Sequence, residues 1–236
     1  MYNRSIKMWD EPHAPEDIER ALQSGKLNKG KFLTLAHNHS YFLQMKTIYN
    51  LHPESILEIG PGDKFVGNYF SCLGILYETV DIIAASNPTY LSSLEDLKAT
   101  EVKLRYDVVC SFQMLEHSPY ENFITNLEKM TYLSKKYVFI SLPYSCYGLN
   151  ISFILSLGQN KLIKKKLSFF LPTKKRNRRY REEFVKEFPW AVHYWEIGRR
   201  GYNLKKIMAD IRSVGLRIID CFHSDNPFHY FILLKK

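Results

Sequence analysis

Cysteine is scarce: Cys72, Cys110, Cys146 and Cys221 are the four in 236 residues, and no C-x-x-C pair occurs. Such scatter argues against a zinc knuckle or a disulfide framework, so no metal site is expected. A reducing cytoplasm is the expected compartment. No run approaches roughly eighteen uninterrupted apolar residues, which excludes an ordinary membrane-spanning helix. The chain does not open on the basic, then apolar, then small-residue pattern of a secretory signal, so none is expected. Acids are missing between Lys161 and Arg181, where ten Lys and Arg stand. The formal net charge is +9, so the remainder sums to about −1 and the basicity is a local feature. A third glycine is also missing from the one glycine-rich turn. Phe65 stands where G-x-G-x-x-G would have it, which weakens a dinucleotide-binding assignment.

What is present suits one α/β domain over 1–236, with 45% of residues hydrophobic. Ser55-Ile56-Leu57-Glu58-Ile59 is an apolar run that ends beside an acid, and Gly60-Pro61-Gly62-Asp63 turns the chain at once. A buried parallel strand hands over to a ligand-binding loop in this way. A helix over 64–72 and a second strand over 75–81, closed by Asp81, follow. Too few residues separate Asp81 from Tyr106 for two ordinary helices and a strand. The helix after the second strand is therefore expected to shrink to a loop, with a short strand near Tyr90–Leu94. Further strands are expected from Tyr106 to just before Ser111, at 136–142, and at Leu216–Phe222 and Phe228–Leu234. Helices are expected over Tyr120–Leu133 and Asn203–Val214, the latter capped by Asn203 and stopped by Gly215. The predicted fold is a Rossmann-like doubly wound sheet, mostly parallel with an antiparallel C-terminal edge strand, of seven strands or slightly fewer.

Four regions follow. Residues 1–52 are expected to form a helical cap, with helices at Glu16–Leu22 and Lys31–Leu51, the latter carrying apolar residues at Phe32, Leu35, Phe42, Met45 and Ile48. Residues 53–143 are the core. Residues 144–202 are a basic and aromatic insertion, and 203–236 a closing helix and strand pair.

Glu-x-Gly-x-Gly after a strand, an acid about twenty residues on, and the run Asp107-Val108-Val109 through Leu115-Glu116-His117 occur in order. Together they resemble class I S-adenosylmethionine-dependent methyltransferases of the type 11 kind. The resemblance covers roughly 54–145 and implies S-adenosyl-L-methionine as cofactor. It implies that the Gly60-Pro61-Gly62 turn meets the amino-acid end, with Glu58 near its ammonium or capping the strand end. Asp81 would accept both ribose hydroxyls, and Ile82 would pack on adenine. Ser93 stands where the family has Asp, so adenine would be read by Ser93, by Glu95 or by the Leu94 backbone. Gln113 would border the methionine portion.

His117 would lie near the acceptor, as a base or as a tie between loop and backbone. His193-Tyr194-Trp195-Glu196, with Trp190 before it, is the candidate acceptor-side motif, with His193 and Glu196 in polar roles; alternatively it is a lid anchored by Trp195. Asn87-Pro88-Thr89-Tyr90 resembles a base-amine methylation motif but follows the wrong strand and is expected to be a turn. The implied activity is methyl transfer, to oxygen of a small-molecule, glycan or lipid-linked acceptor. RNA methylation through the basic insertion and a non-catalytic binding role are the alternatives. The cationic stretch 161–181 could meet an anionic membrane surface from the cytoplasmic side, nucleic-acid phosphates or solvent alone.

Overall fold

The structure, a computed structural model, describes residues 35–98, 100–156, 162–177 and 192–236. The expected helix at Glu16–Leu22 and Trp190 lie outside them. Seven strands form one sheet in the order β3-β2-β1-β4-β5-β9-β8. They are β1 (Ser55–Ile59), β2 (Leu76–Asp81), β3 (Tyr90–Leu91), β4 (Tyr106–Phe112), β5 (Ser134–Pro143), β8 (Arg217–His223) and β9 (His229–Lys235). Strands β1 to β5 run parallel. Strand β9 runs antiparallel between β5 and β8. The chain winds outward from β1 to β3, then jumps back over β1 to β4, which opens a crevice at the carboxyl ends of β1, β2 and β4.

The central strands are apolar on both faces because helices cover both. Against one face, α1 (Leu35–Tyr49) and α2 (Phe65–Cys72) bury Ile48, Val66 and Phe70 on Ile56, Val108, Phe139 and Phe231. Against the other, α3 (Phe123–Leu133) and α4 (Leu204–Ser213) bury Phe123, Leu127, Ile207 and Ile211 on Leu57, Val109, Val138 and Ile140. Asp107 pins the start of β1 beside β4 by accepting from the backbone N–H of Glu54 at 2.9 Å and of Ser55 at 3.2 Å. The Asn203 side chain caps α4 by accepting from the Lys206 N–H at 2.9 Å.

Two expectations change. Helix α1 buries Ile48 and partly buries Met45 as expected, but Phe42 is exposed, and Ser40 and Gln44 point inward with Ile48. A polar pair decides the rotation. His229 Nδ1 meets Ser40 Oγ at 2.7 Å, so the small hydroxyl is satisfied in the interior. The insertion, expected as a basic amphipathic stretch or a solvated loop, contains a long antiparallel hairpin of β6 (Cys146–Ser156) and β7 (Leu162–Pro172). Between Asp81 and Tyr106 the chain makes a 3-10 turn at Ala84–Ser86 and the two-residue β3, with no α-helix among the described residues.

Candidate active site

A cavity of about 500 Å3 opens at the crevice, lined by the ends of β1 and β2, the 92–95 loop and the turn after β4. Gly60 and Gly62 form its floor with backbone φ of 67° and 56°, the left-handed region that L side chains rarely adopt. Gly60 also has no room for more. An added Cβ would lie 2.6 Å from Met114 Cγ across the crevice.

Asp81 and Ile82 line the cavity at the end of β2. The Asp81 carboxylate accepts from the Ile83 N–H at 3.0 Å and from Ser86 Oγ at 3.2 Å, one bond to each oxygen. Each oxygen keeps acceptor capacity. The Ile82 side chain is 47% exposed beside it. On the opposite wall stand Ser92, Ser93, Leu94 and Glu95. The Ser93 hydroxyl donates to Asp96 at 2.7 Å and accepts from the Asp96 N–H at 3.0 Å, a closed local pair. Glu95 accepts from Asn126 at 2.8 Å, and the Leu94 carbonyl accepts from Lys129 Nζ at 2.7 Å. Of the three candidate groups for adenine, the Leu94 N–H and the second Glu95 carboxylate oxygen are left after these bonds.

Glu58 and Pro61 do not line the cavity. Glu58 is enclosed on the α2 side of β1, where the Tyr77 hydroxyl donates to it. Burial pushes its pKa up to about 8, although the Tyr77 hydrogen bond pulls the other way. Glu58 thus stands beneath the turn and not on the cavity wall.

Gln113 has φ 54°, and its backbone N–H and side-chain amide both donate to Ser141, at 3.0 and 3.2 Å. This holds the turn after β4 over the cavity mouth. The 3-10 turn Leu115–His117 follows, and His117 borders the cavity. Segment 192–197 wraps this turn. The Tyr194 N–H donates to the Glu116 carbonyl at 2.9 Å, and Trp195 Nε1 donates to the Ser118 carbonyl at 3.2 Å. Trp195 is fully buried against Tyr120 and Phe123, so it is the anchor of the segment and not a cavity wall.

Neither His193 nor Glu196 lines the cavity. They stand one layer behind His117, whose ring meets that of His193 edge-on at 4.9 Å. His117 Nδ1 faces the Val192 carbonyl at 2.9 Å. Burial, aided by the neighbouring His193, lowers the His117 pKa to about 4. It is therefore neutral near pH 7 and a weak proton acceptor. His193 Nδ1 lies 3.2 Å from Glu196, and Arg199 Nε donates to the second Glu196 oxygen at 2.5 Å. Burial would raise the Glu196 pKa, but the His193 and Arg199 hydrogen bonds outweigh it and hold the carboxyl below its ordinary range.

Glu116 was not among the expected site residues. It is fully buried, and neither carboxylate oxygen has a hydrogen-bond partner among the described residues. Burial pushes its pKa up to about 7. Its place beside a cavity-facing histidine in a Leu-Glu-His turn was the sequence signal that could have marked it.

The chain leaving β7 is sewn to this region. Lys174 N–H donates to the Gly198 carbonyl at 2.9 Å, Arg200 N–H to the Lys175 carbonyl at 2.9 Å, and Asn177 to the Tyr194 carbonyl at 3.0 Å.

No family model matches the chain, and no curated protein matches it in sequence. Solved structures match it in shape. One is the 1,6-didemethyltoxoflavin-N1-methyltransferase of Burkholderia thailandensis, with 1,6-didemethyltoxoflavin and S-adenosylhomocysteine bound. It gives a TM-score of 0.53 at 12% identity, over 94% of this chain and 86% of that one. The magnesium protoporphyrin IX methyltransferase of Synechocystis PCC 6803, with S-adenosylhomocysteine bound, gives 0.53 at 13% identity, over 95% and 94%. The N-methyltransferase NodS of Bradyrhizobium japonicum WM9, in complex with S-adenosylhomocysteine, gives 0.51 at 8% identity, over 94% and 97%. These likenesses define the class of fold. The chain has the Rossmann-like fold of class I S-adenosylmethionine-dependent methyltransferases.

Proposed function

We propose that the chain is an S-adenosylmethionine-dependent methyltransferase acting on an oxygen of a small, glycan or lipid-linked acceptor. The observation that carries this is the single cavity in which the Gly60–Gly62 turn, Asp81, Ile82, the 92–95 loop and Gln113 converge. The residues suit the cofactor chemically. The turn lets backbone approach an amino-acid end, and a Cβ built on Gly62 would meet nothing within 4 Å, so the space there is open. Asp81 has acceptor capacity for a ribose diol, and Ile82 offers an exposed aliphatic face to adenine. When bound, the cofactor supplies an electrophilic methyl on a cationic sulfur. Glu58 acts as a positioning residue, supporting the turn from below.

His117, Gln113, Met114 and Ser118 border the acceptor end. Methyl transfer depends chiefly on in-line placement of the two reacting atoms, so a weakly basic His117 is compatible with it. Oxygen is favoured over a base amine because Ser111-Phe112-Gln113-Met114 closes β4 and opens the turn after it, with no Asn-Pro element there. The Asn87–Tyr90 element belongs to the loop after β2, where Asn87 caps a 3-10 turn at φ 46°.

The hairpin supports a membrane-associated acceptor. Its register puts Tyr147 opposite Leu171, Leu149 opposite Phe169, Ile151 opposite Leu167 and Leu155 opposite Ile163 on one face. All eight are exposed, with Phe153 beside them. Nucleic-acid phosphates have no use for such a face. An apolar ladder flanked by lysines suits the headgroup boundary of an anionic bilayer, where lysines reach the phosphates. Among the described residues no helix is long and apolar enough to cross a membrane.

Calorimetric titration with S-adenosylmethionine tests the main proposal. Micromolar binding is expected, and Asp81→Ala should abolish it. A folded wild-type protein that gives no heat would leave the non-catalytic alternative standing. Unchanged affinity in Asp81→Ala would remove Asp81 from the site.

A further inference from the structure

We infer that Glu116, His117 and His193 form a binding site for one divalent transition-metal cation, of the zinc, manganese or cobalt class, beside the acceptor end of the cavity. Each of the three offers one ligand atom, and these atoms lie within 4.8 Å of one another. Metal–ligand bonds of about 2.0–2.2 Å would draw them together by roughly an ångström, a side-chain adjustment rather than a change of fold.

Three independent features point to a cation. The first is Glu116. A fully buried carboxylate whose oxygens both lack hydrogen-bond partners among the described residues is costly, and a coordinated cation would satisfy it directly. The second is the donor set. Two imidazoles and one carboxylate are the mixed nitrogen and oxygen ligands that suit borderline divalent metals and leave positions open for a further ligand.

The third is the layer behind the ligands. Metal-binding histidines commonly direct their second ring nitrogen to a carbonyl or carboxylate, which fixes ring and tautomer. Here His117 Nδ1 faces the Val192 carbonyl at 2.9 Å, and His193 Nδ1 faces Glu196 at 3.2 Å. Glu196 is itself held by Arg199 at 2.5 Å. This layer accounts for the buried Glu196–Arg199 pair, which has no contact with the cavity.

The role of the cation, though not its binding, rests on the methyl-transfer proposal. An acceptor hydroxyl held by the metal would release its proton to water. The resulting oxygen would then form the O–CH3 bond as the S–CH3 bond breaks, with that electron pair left on sulfur. In that arrangement His117 is a ligand and no histidine base is required.

The test is titration of chelator-treated, dialysed full-length protein with Zn2+, Mn2+ and Co2+, followed by calorimetry and by the visible absorption of Co2+. One equivalent should bind at micromolar affinity or tighter. Glu116→Gln and His193→Ala should each weaken binding at least 10-fold, and Glu196→Gln should weaken it about 10- to 100-fold through the outer layer. The absence of a stoichiometric site for all three ions in the wild-type protein would overturn the inference, as would affinities unchanged in the ligand variants. Titration with S-adenosylhomocysteine on the same samples separates the two proposals. Loss of metal binding with that affinity intact counts against the cation site alone. Metal binding without it counts against methyl transfer alone.

Discussion

Tyr77 donates its hydroxyl hydrogen bond to Glu58, and Gly67 makes the pairing sterically feasible. A Cβ on Gly67 would lie 2.1 Å from Tyr77 Cε1, so α2 crosses the phenol where only glycine fits. The pair sits two residues before the Gly60 turn, and its chemistry sets a pH dependence. The Glu58 pKa is raised by burial from 4.5 to about 8, so between these values the native state holds a proton that the unfolded chain has released. The fold should therefore lose stability as pH rises through that window, by an amount on the order of a few kcal/mol. Glu58→Gln should flatten this slope. Chemical denaturation at pH 5 and pH 8 measures it, and an identical slope in the variant would falsify the assignment.

Gly60→Ala and Gly62→Ala form a matched pair. Both positions have left-handed φ, so each alanine should cost about 1–2 kcal/mol. Only Gly60 faces Met114. Gly60→Ala should push Met114 into the cavity and weaken S-adenosylhomocysteine binding by 10-fold or more, with a smaller effect from Gly62→Ala. Equal losses of affinity would show that the crevice contact is irrelevant.

His229 gives the opposite pH dependence. Burial lowers its pKa to about 4 from 6.5, so between these values the unfolded chain binds a proton that the native state excludes. This contribution to stability is present above pH 6.5 and is lost as pH falls toward 4. It should reach about 3 kcal/mol at most. Thermal melts of the wild type and His229→Gln between pH 4.5 and 7 check it. The glutamine variant should show the shallower decline, and parallel curves would rule His229 out as the source.

The apolar face of the hairpin predicts a separation of binding from stability. Leu149→Asp and Phe169→Asp replace exposed residues, so the melting temperature should move by no more than a degree or two. Co-sedimentation with vesicles containing phosphatidylserine should fall several-fold. RNA binding that is steep in salt and indifferent to both substitutions would instead favour nucleic acid.

Most of the sheet was legible because its strands are apolar on both faces. Ser55–Ile59 forms without adjustment, the strand from Tyr106 runs two residues further than expected, through Phe112, and Asp81 ends its strand as expected. The cavity wall from Gly60 to Leu94 is local in sequence and could be read in order. Helix α1 forms and buries Ile48, but the outward turn of Phe42 was not legible, because Ser40 is held inside by a histidine 189 residues away. Tyr147, Leu149, Ile151, Phe153 and Leu155 alternate as a strand should, but the lysines that follow drew attention to charge and away from the period of two. The grouping of Glu116 with His193 is tertiary. It depends on hydrogen bonds such as that from His117 to the Val192 carbonyl, across 75 residues, which no local pattern announces.

Strands β6 and β7 form a finger whose root shares its amide ladder with the 194–200 segment. A displacement of this finger is therefore shared between the peptide units that seat His193 and Glu196 and strand β5, which ends three residues before β6 begins.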